Sequence, residues 1–177
     1  MVAVVAALLA LPGGGLRAQK AEGARGEAAR GLHWRQANEK ELAAIIPERA
    51  PVISERIETE LRTASAVEDG KGHAIAAAVL ITAGYSANGK YSIFLLTQVP
   101  LRIADHDVAA GRYLLGWTWG QDALAVTVSE AMTGKALMTV DAKRSAAIRR
   151  VEPVHIWPPG EHSVIQLGRF VIPYRVE

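Results

Sequence analysis

The chain has no cysteine, which removes disulfides, thiolate metal sites, a cysteine nucleophile and a lipid-modified cysteine anchor at once. Folded stability therefore rests on packing. No apolar run reaches the roughly 20 residues that a bilayer-spanning helix needs, so no transmembrane anchor is expected. A one-signed charge is missing too: Lys and Arg number 20 against 18 Asp and Glu, a formal +2. So balanced a surface is not a nucleic-acid footprint. Several chemical signatures are also absent. No serine sits in a G-x-S-x-G elbow. No H-x-H or H-E-x-x-H pair supplies zinc-ligand spacing. Gly70-Lys71-Gly72 lacks the spacing and following helix of a phosphate loop. No cofactor is expected.

What is present is apolar. Half of the 177 residues are hydrophobic, enough for one domain with a proper core and too few for two. Met1 to Leu11 is a compact apolar segment, Pro12-Gly13-Gly14-Gly15 breaks it, and Leu16-Arg17-Ala18 offers a cleavage site. Residues 1–18 thus read as an export signal, although no Lys or Arg precedes the apolar run. The expected location is secreted or periplasmic. Residues 19–37 open with an aperiodic mixture of Ala, Gly, Arg and Glu and read as a flexible linker. Residues 38–177 are expected to form the folded domain.

Asn38-Glu39-Lys40-Glu41 fits a capping box and predicts a short helix, with Leu42, Ile45 and Ile46 as its apolar stripe and Pro47 and Pro51 as stops. Ile57 to Val67 then reads as a strand that turns through Glu68-Asp69-Gly70-Lys71-Gly72 into the most apolar stretch of the chain, His73 to Val99. That stretch predicts a long hairpin turning at Gly84–Gly89. Both of its strands are apolar on both faces, so both must be covered on two sides. Alternation continues in Val99 to Ile103, Tyr113 to Trp119, Leu124 to Val128, Leu137 to Arg144, Val154 to Trp157 and Ser163 to Val171, with Ala104-Asp105-His106-Asp107 as a polar loop. The expectation is all-β: an antiparallel sandwich or small barrel of about eight strands with one short N-terminal helix.

Gln98-Val99-Pro100-Leu101-Arg102-Ile103, then Val108-Ala109-Ala110-Gly111-Arg112-Tyr113, and later Thr133-Gly134-Lys135, resemble the "VPF…LPAGxY" pattern of small secreted bacterial β-domains. Leu101 stands where that pattern has Phe, and Ala109 where it has Pro. The resemblance implies a secreted all-β fold and brings no catalytic residues.

Candidate chemistry is sparse. Asp105, His106 and Asp107 have the composition of a cation site, but adjacent residues on an extended loop alternate in direction, and a solvated turn is the favoured account of them. His155 and His162 flank Trp157-Pro158-Pro159-Gly160 and would have to meet across that break. Glu58 and Glu60 share a strand face with Arg56 and Arg62, which favours ion pairing over a catalytic carboxylate pair. The aromatics are more informative. Trp117 and Trp119 share the Tyr113 face of one strand, and Trp157 precedes a rigid turn. Pointing into a barrel mouth, such rings would bind a sugar or another flat apolar ligand; pointing inward, they are core.

The sequence is accordingly read as an exported, non-catalytic binding or assembly module, with Trp117, Trp119 and Trp157 as ligand-binding candidates. Its partner would be a carbohydrate or a protein, or a second copy added to the Val99 to Ile103 edge strand. The alternative is a small metal-dependent or hydrolytic enzyme using Asp105, His106 and Asp107 with His155 or His162. The export reading predicts that mass spectrometry of the exported protein finds a mature N-terminus at Gln19; an intact Met1 end would overturn it.

Overall fold

The computed structural model describes residues 33–82, 90–160 and 163–177. Trp34 to Glu177 form one compact unit. The expected signal segment, most of the linker, the Gly84–Gly89 turn and His162 lie outside the described residues.

The architecture is all-β with one helix. In chain order the elements are β1 (Arg35–Gln36), α1 (Glu39–Ile45), β2 (Arg49–Val52), β3 (Glu55–Glu68), β4 (Ala74–Leu80), β5 (Ile93–Thr97), β6 (Leu101–Ile103), β7 (His106–Val108), β8 (Gly111–Trp119), β9 (Ala123–Glu130), β10 (Ala136–Arg144), β11 (Glu152–Ile156), β12 (Val164–Gly168) and β13 (Phe170–Val176). The main path runs β1-β3-β4-β5-β8-β9-β10-β13-β12-β11, antiparallel throughout, and curls into a half-barrel.

The capping box forms as the sequence predicts. Asn38 Oδ1 accepts from the Glu41 N–H at 3.1 Å, and Glu41 Oε2 accepts from the Asn38 N–H at 2.8 Å. Arg35 grips the same carboxylate in a two-point pair at 2.7 and 3.0 Å. The Arg35 guanidinium, followed by the Asn38 backbone N–H, holds the Glu41 carboxyl at about 2, well below its ordinary range.

β4 and β5 are apolar on both faces because both faces are covered. Inward, Ile75, Ala77, Ile93 and Leu95 join Leu115, Val126, Val128, Val140, Ile156, Ile165 and Ile172 in the barrel core. Outward, Ala66, Ala76 and Ala78 are small enough for α1 to settle with Ile46, Leu42 and Ile45 against them. Further along the same outer face, Phe94 and Leu114 are covered by Ala50 and Val52 of β2 and by Ile53.

Three expectations change. Asp105 to Asp107 are not all loop, because His106-Asp107-Val108 returns as β7 against β6. The long final strand is two: Gly168, at φ +62°, turns β12 back into β13. The Val99 to Ile103 strand is no open edge, since β6 pairs with β7 on one side and with β13 on the other, Tyr174 facing Ile103. A helix long and apolar enough to cross a membrane is absent among the described residues.

The curled sheet has two edges, and side chains join them. Gln36 of β1 and Ser65 of β3 face β11: the Ile156 N–H donates to Ser65 Oγ at 2.9 Å, and Gln36 Nε2 donates to the Ile156 carbonyl at 2.7 Å. Ser65 is buried, so the Ile156 N–H has no water to fall back on. One end of the barrel is covered by the β6–β7 hairpin, which buries Leu101, Ile103 and Val108 in the core. Among the described residues, the opposite end, where β8 finishes and β9 begins, carries no such hairpin.

Two outcomes follow from these contacts. Ser65→Ala strips the Ile156 N–H of its partner and should lower unfolding free energy by about 1–3 kcal/mol in urea titration, whereas Thr139→Val, at an exposed hydroxyl pair, should cost far less; equal losses would deny the seam its role. The Glu41 carboxyl, depressed in the folded chain from 4.5 to about 2, contributes stability that is fully present above pH 4.5 and is lost as pH falls through that window. Glu41→Gln should therefore flatten the stability-against-pH curve between pH 4.5 and 2 in acid titrations followed by circular dichroism.

Candidate functional site

At the end where β8 finishes, the interior opens as a cavity of about 790 Å³. Its floor is made of buried ends of core strands: Ile93 of β5, Leu124 of β9 and Leu167 of β12. Val79, Trp117, Trp119, Val151, Pro153 and Phe170 form the walls. Strand parity explains the arrangement. Tyr113, Leu115, Trp117 and Trp119 alternate along β8 on its inward face; the first two are buried as core, Trp117 is half-buried, and Trp119 is 75 % exposed at the rim. Trp119 meets the Phe170 ring edge-on, centroids 5.8 Å apart at 78°, a favourable aromatic geometry. Val151, about half exposed, completes an apolar rim.

Charge is confined to the mouth. Arg144 ends β10, Arg169 sits in the β12–β13 turn, and Glu152 begins β11. The Glu152 carboxylate is already engaged, by Arg150 Nε at 3.1 Å and His155 Nδ1 at 2.7 Å.

The third tryptophan lies elsewhere. Trp157 follows the far end of β11; its indole N–H donates to Gln166 Oε1 at 3.0 Å, and its ring stands edge-on to His155 with centroids 5.0 Å apart. It lines no part of the cavity.

His155 belongs to the seam. Gln36 Nε2 reaches its Nε2 at 3.1 Å, and an amide NH₂ can only donate. The bonding pattern therefore assigns the ring proton to Nδ1, which donates to Glu152. Ser65 Oγ stands 3.5 Å from that same Nδ1. Ser65, His155 and Glu152 thus resemble a nucleophile triad only in composition, because a triad needs serine and carboxylate on opposite ring nitrogens. Here both address Nδ1, and the serine is buried and already accepts the Ile156 N–H.

Asp105, His106 and Asp107 are divided. Asp107 pairs with Arg102 across the β6–β7 hairpin at 3.0 Å. Asp105 and His106 line a separate cleft of about 630 Å³ with Asp141 and Lys143, on the side where β10 and β13 splay apart. Among the described residues no group of three or more His, Asp or Glu has the geometry to hold a metal ion. Glu58 and Glu60 are taken up in ion pairs, with Arg49 at 2.9 Å and Arg62 at 3.1 Å.

Parity alone identifies Trp117 and Trp119 as neighbours, but the partners that turn them into a site, Phe170, Val151, Arg144 and Arg169, come from strands distant in sequence and carry no local signal. Family models, curated proteins and solved structures contain no match to this chain.

Proposed function

We propose that this chain is an exported, non-catalytic binding module that holds a small, largely apolar molecule in the open end of its barrel. The cavity of about 790 Å³ beside Trp117 and Trp119 carries this reading; its size lies within the range of roughly 300–1,000 Å³ typical of small-molecule sites. A flat apolar body suits the walls better than a sugar. The lining offers few polar groups for hydroxyls, Ser92, an already engaged Glu152 and, at the mouth alone, Arg144 and Arg169, and burying unpaired hydroxyls is costly. The export component rests on the Met1 to Leu11 segment and its break. An enzyme reading would need Asp105, His106 and Asp107 to converge with His155 or His162; the seam already occupies His155, and His162 lies outside the described residues. Strand addition at β6 would need an edge that β7 and β13 already fill.

The neutral probe N-phenyl-1-naphthylamine tests the reading. Its fluorescence should rise and saturate at one site per chain. Trp117→Ala should weaken it roughly tenfold, the loss of one large aromatic wall. Trp119→Ala, at an exposed position that the fold does not need, should weaken it by a smaller factor in the same direction. Absence of binding, or equal affinity in wild type and both variants, would overturn the proposal.

A further inference from the structure

The cavity combines an apolar interior with cations held at its mouth. β10 and β13 pair as Lys143↔Val171 and Arg144↔Phe170, and the Ser145 N–H donates to the Arg169 carbonyl at 3.0 Å. Together these contacts bring Arg144 beside the turn that carries Arg169. That turn depends on Gly168 at φ +62°, a conformation that L side chains rarely adopt.

Six arginines elsewhere are neutralised. Arg35, Arg49, Arg62, Arg102, Arg150 and Arg175 each have a carboxylate within 3.1 Å. Arg144 and Arg169 make no ion pair with any described residue, although both border an apolar wall. The carboxylate nearest to them in the lining, Glu152, is held by Arg150 and His155. The other described arginines without a carboxylate, Arg56, Arg112 and Arg149, do not line this cavity. A guanidinium in this position offers a planar fork of donors matched to a carboxylate or sulfonate.

We propose that the site selects an amphipathic organic anion, its apolar body against Trp117 and Trp119 and its carboxylate or sulfonate on Arg144 and Arg169. This rests on the binding reading above and adds the charge of the ligand to it. The occupant is a single molecule, because the cavity has a closed floor of Ile93, Leu124 and Leu167.

Two probes with the same aromatic body separate the claims: neutral N-phenyl-1-naphthylamine and anionic 1-anilinonaphthalene-8-sulfonate, titrated at low ionic strength. The wild type should prefer the anion. In Arg144→Gln/Arg169→Gln the ratio of anionic to neutral affinity should fall roughly tenfold, and 0.5 M salt (about 4 Å screening length) should reduce that ratio in the wild type. Octanoate should displace the sulfonate probe at lower concentration than octan-1-ol. If both probes bind equally well and the double variant leaves their ratio unchanged, the anion selectivity is overturned while the binding module stands. If neither probe binds, the binding module itself fails. Sedimentation with phosphatidylglycerol vesicles that survives Trp117→Ala would mean that the mouth docks on an anionic membrane surface, and would overturn a single-molecule ligand.

Discussion

The rest of the structure depends on the two-sided burial of β4 and β5. Ala76, Ala77, Ala78, Phe94 and Leu95 have no exposed surface, and a strand pair apolar on both faces is stable only between two covering layers. The inner layer is the far wall of the curled sheet. The outer layer is α1 together with β2, and both lie N-terminal to the strands they cover. Alanines on the outer face of β4 set how closely the helix approaches, while Phe94 and Leu114, projecting further, are met by the extended chain of β2. One requirement, the removal of apolar surface from water, thus dictates both why the sheet curls and why a short helix accompanies it.

Curling leaves two problems, edges and ends. The edges meet at Ser65, Gln36, His155 and Ile156, where side-chain hydrogen bonds substitute for a backbone ladder. The ends are treated differently. The β6–β7 hairpin fills one with Leu101, Ile103 and Val108, and the other, among the described residues, is walled by Trp117, Trp119 and Phe170 without being filled. Packing alone does not account for that asymmetry, since a large aromatic standing 75 % exposed at a rim gains little from its position. The proposed ligand would supply the missing burial, with its charged end at Arg144 and Arg169.

Much of the fold was legible because it follows local periodicity. The capping box at Asn38 and Glu41, the Glu68 to Gly72 turn and the alternation of β8 and β9 all depend on residues a few positions apart. What was not legible depends on pairing across the chain. His106 to Val108 is polar enough to pass for a loop and becomes a strand because β6 lies beside it. Ser163 to Val171 reads as one strand because apolar residues stand on both sides of Gly168, and the turn there is fixed by the backbone at φ +62° and by the pairing of β12 with β13. β2 contains Pro51 and charged neighbours, weak strand signals that pairing with β3 outweighs.

The sequence by itself determined the class and the fact that Tyr113, Leu115, Trp117 and Trp119 share one face of β8, because side-chain direction in a strand repeats every second residue. It could not separate Trp157 from them, nor decide whether the shared face was core or cavity. Those were decided by where β8 lies in the curled sheet: Tyr113 and Leu115 lie in the filled part of the barrel, and Trp117 and Trp119, two and four residues beyond Leu115 on the same face, reach its open end. Periodicity specifies a face, whereas depth along the barrel is set by register with β5 and β9 and by which end a hairpin happens to close.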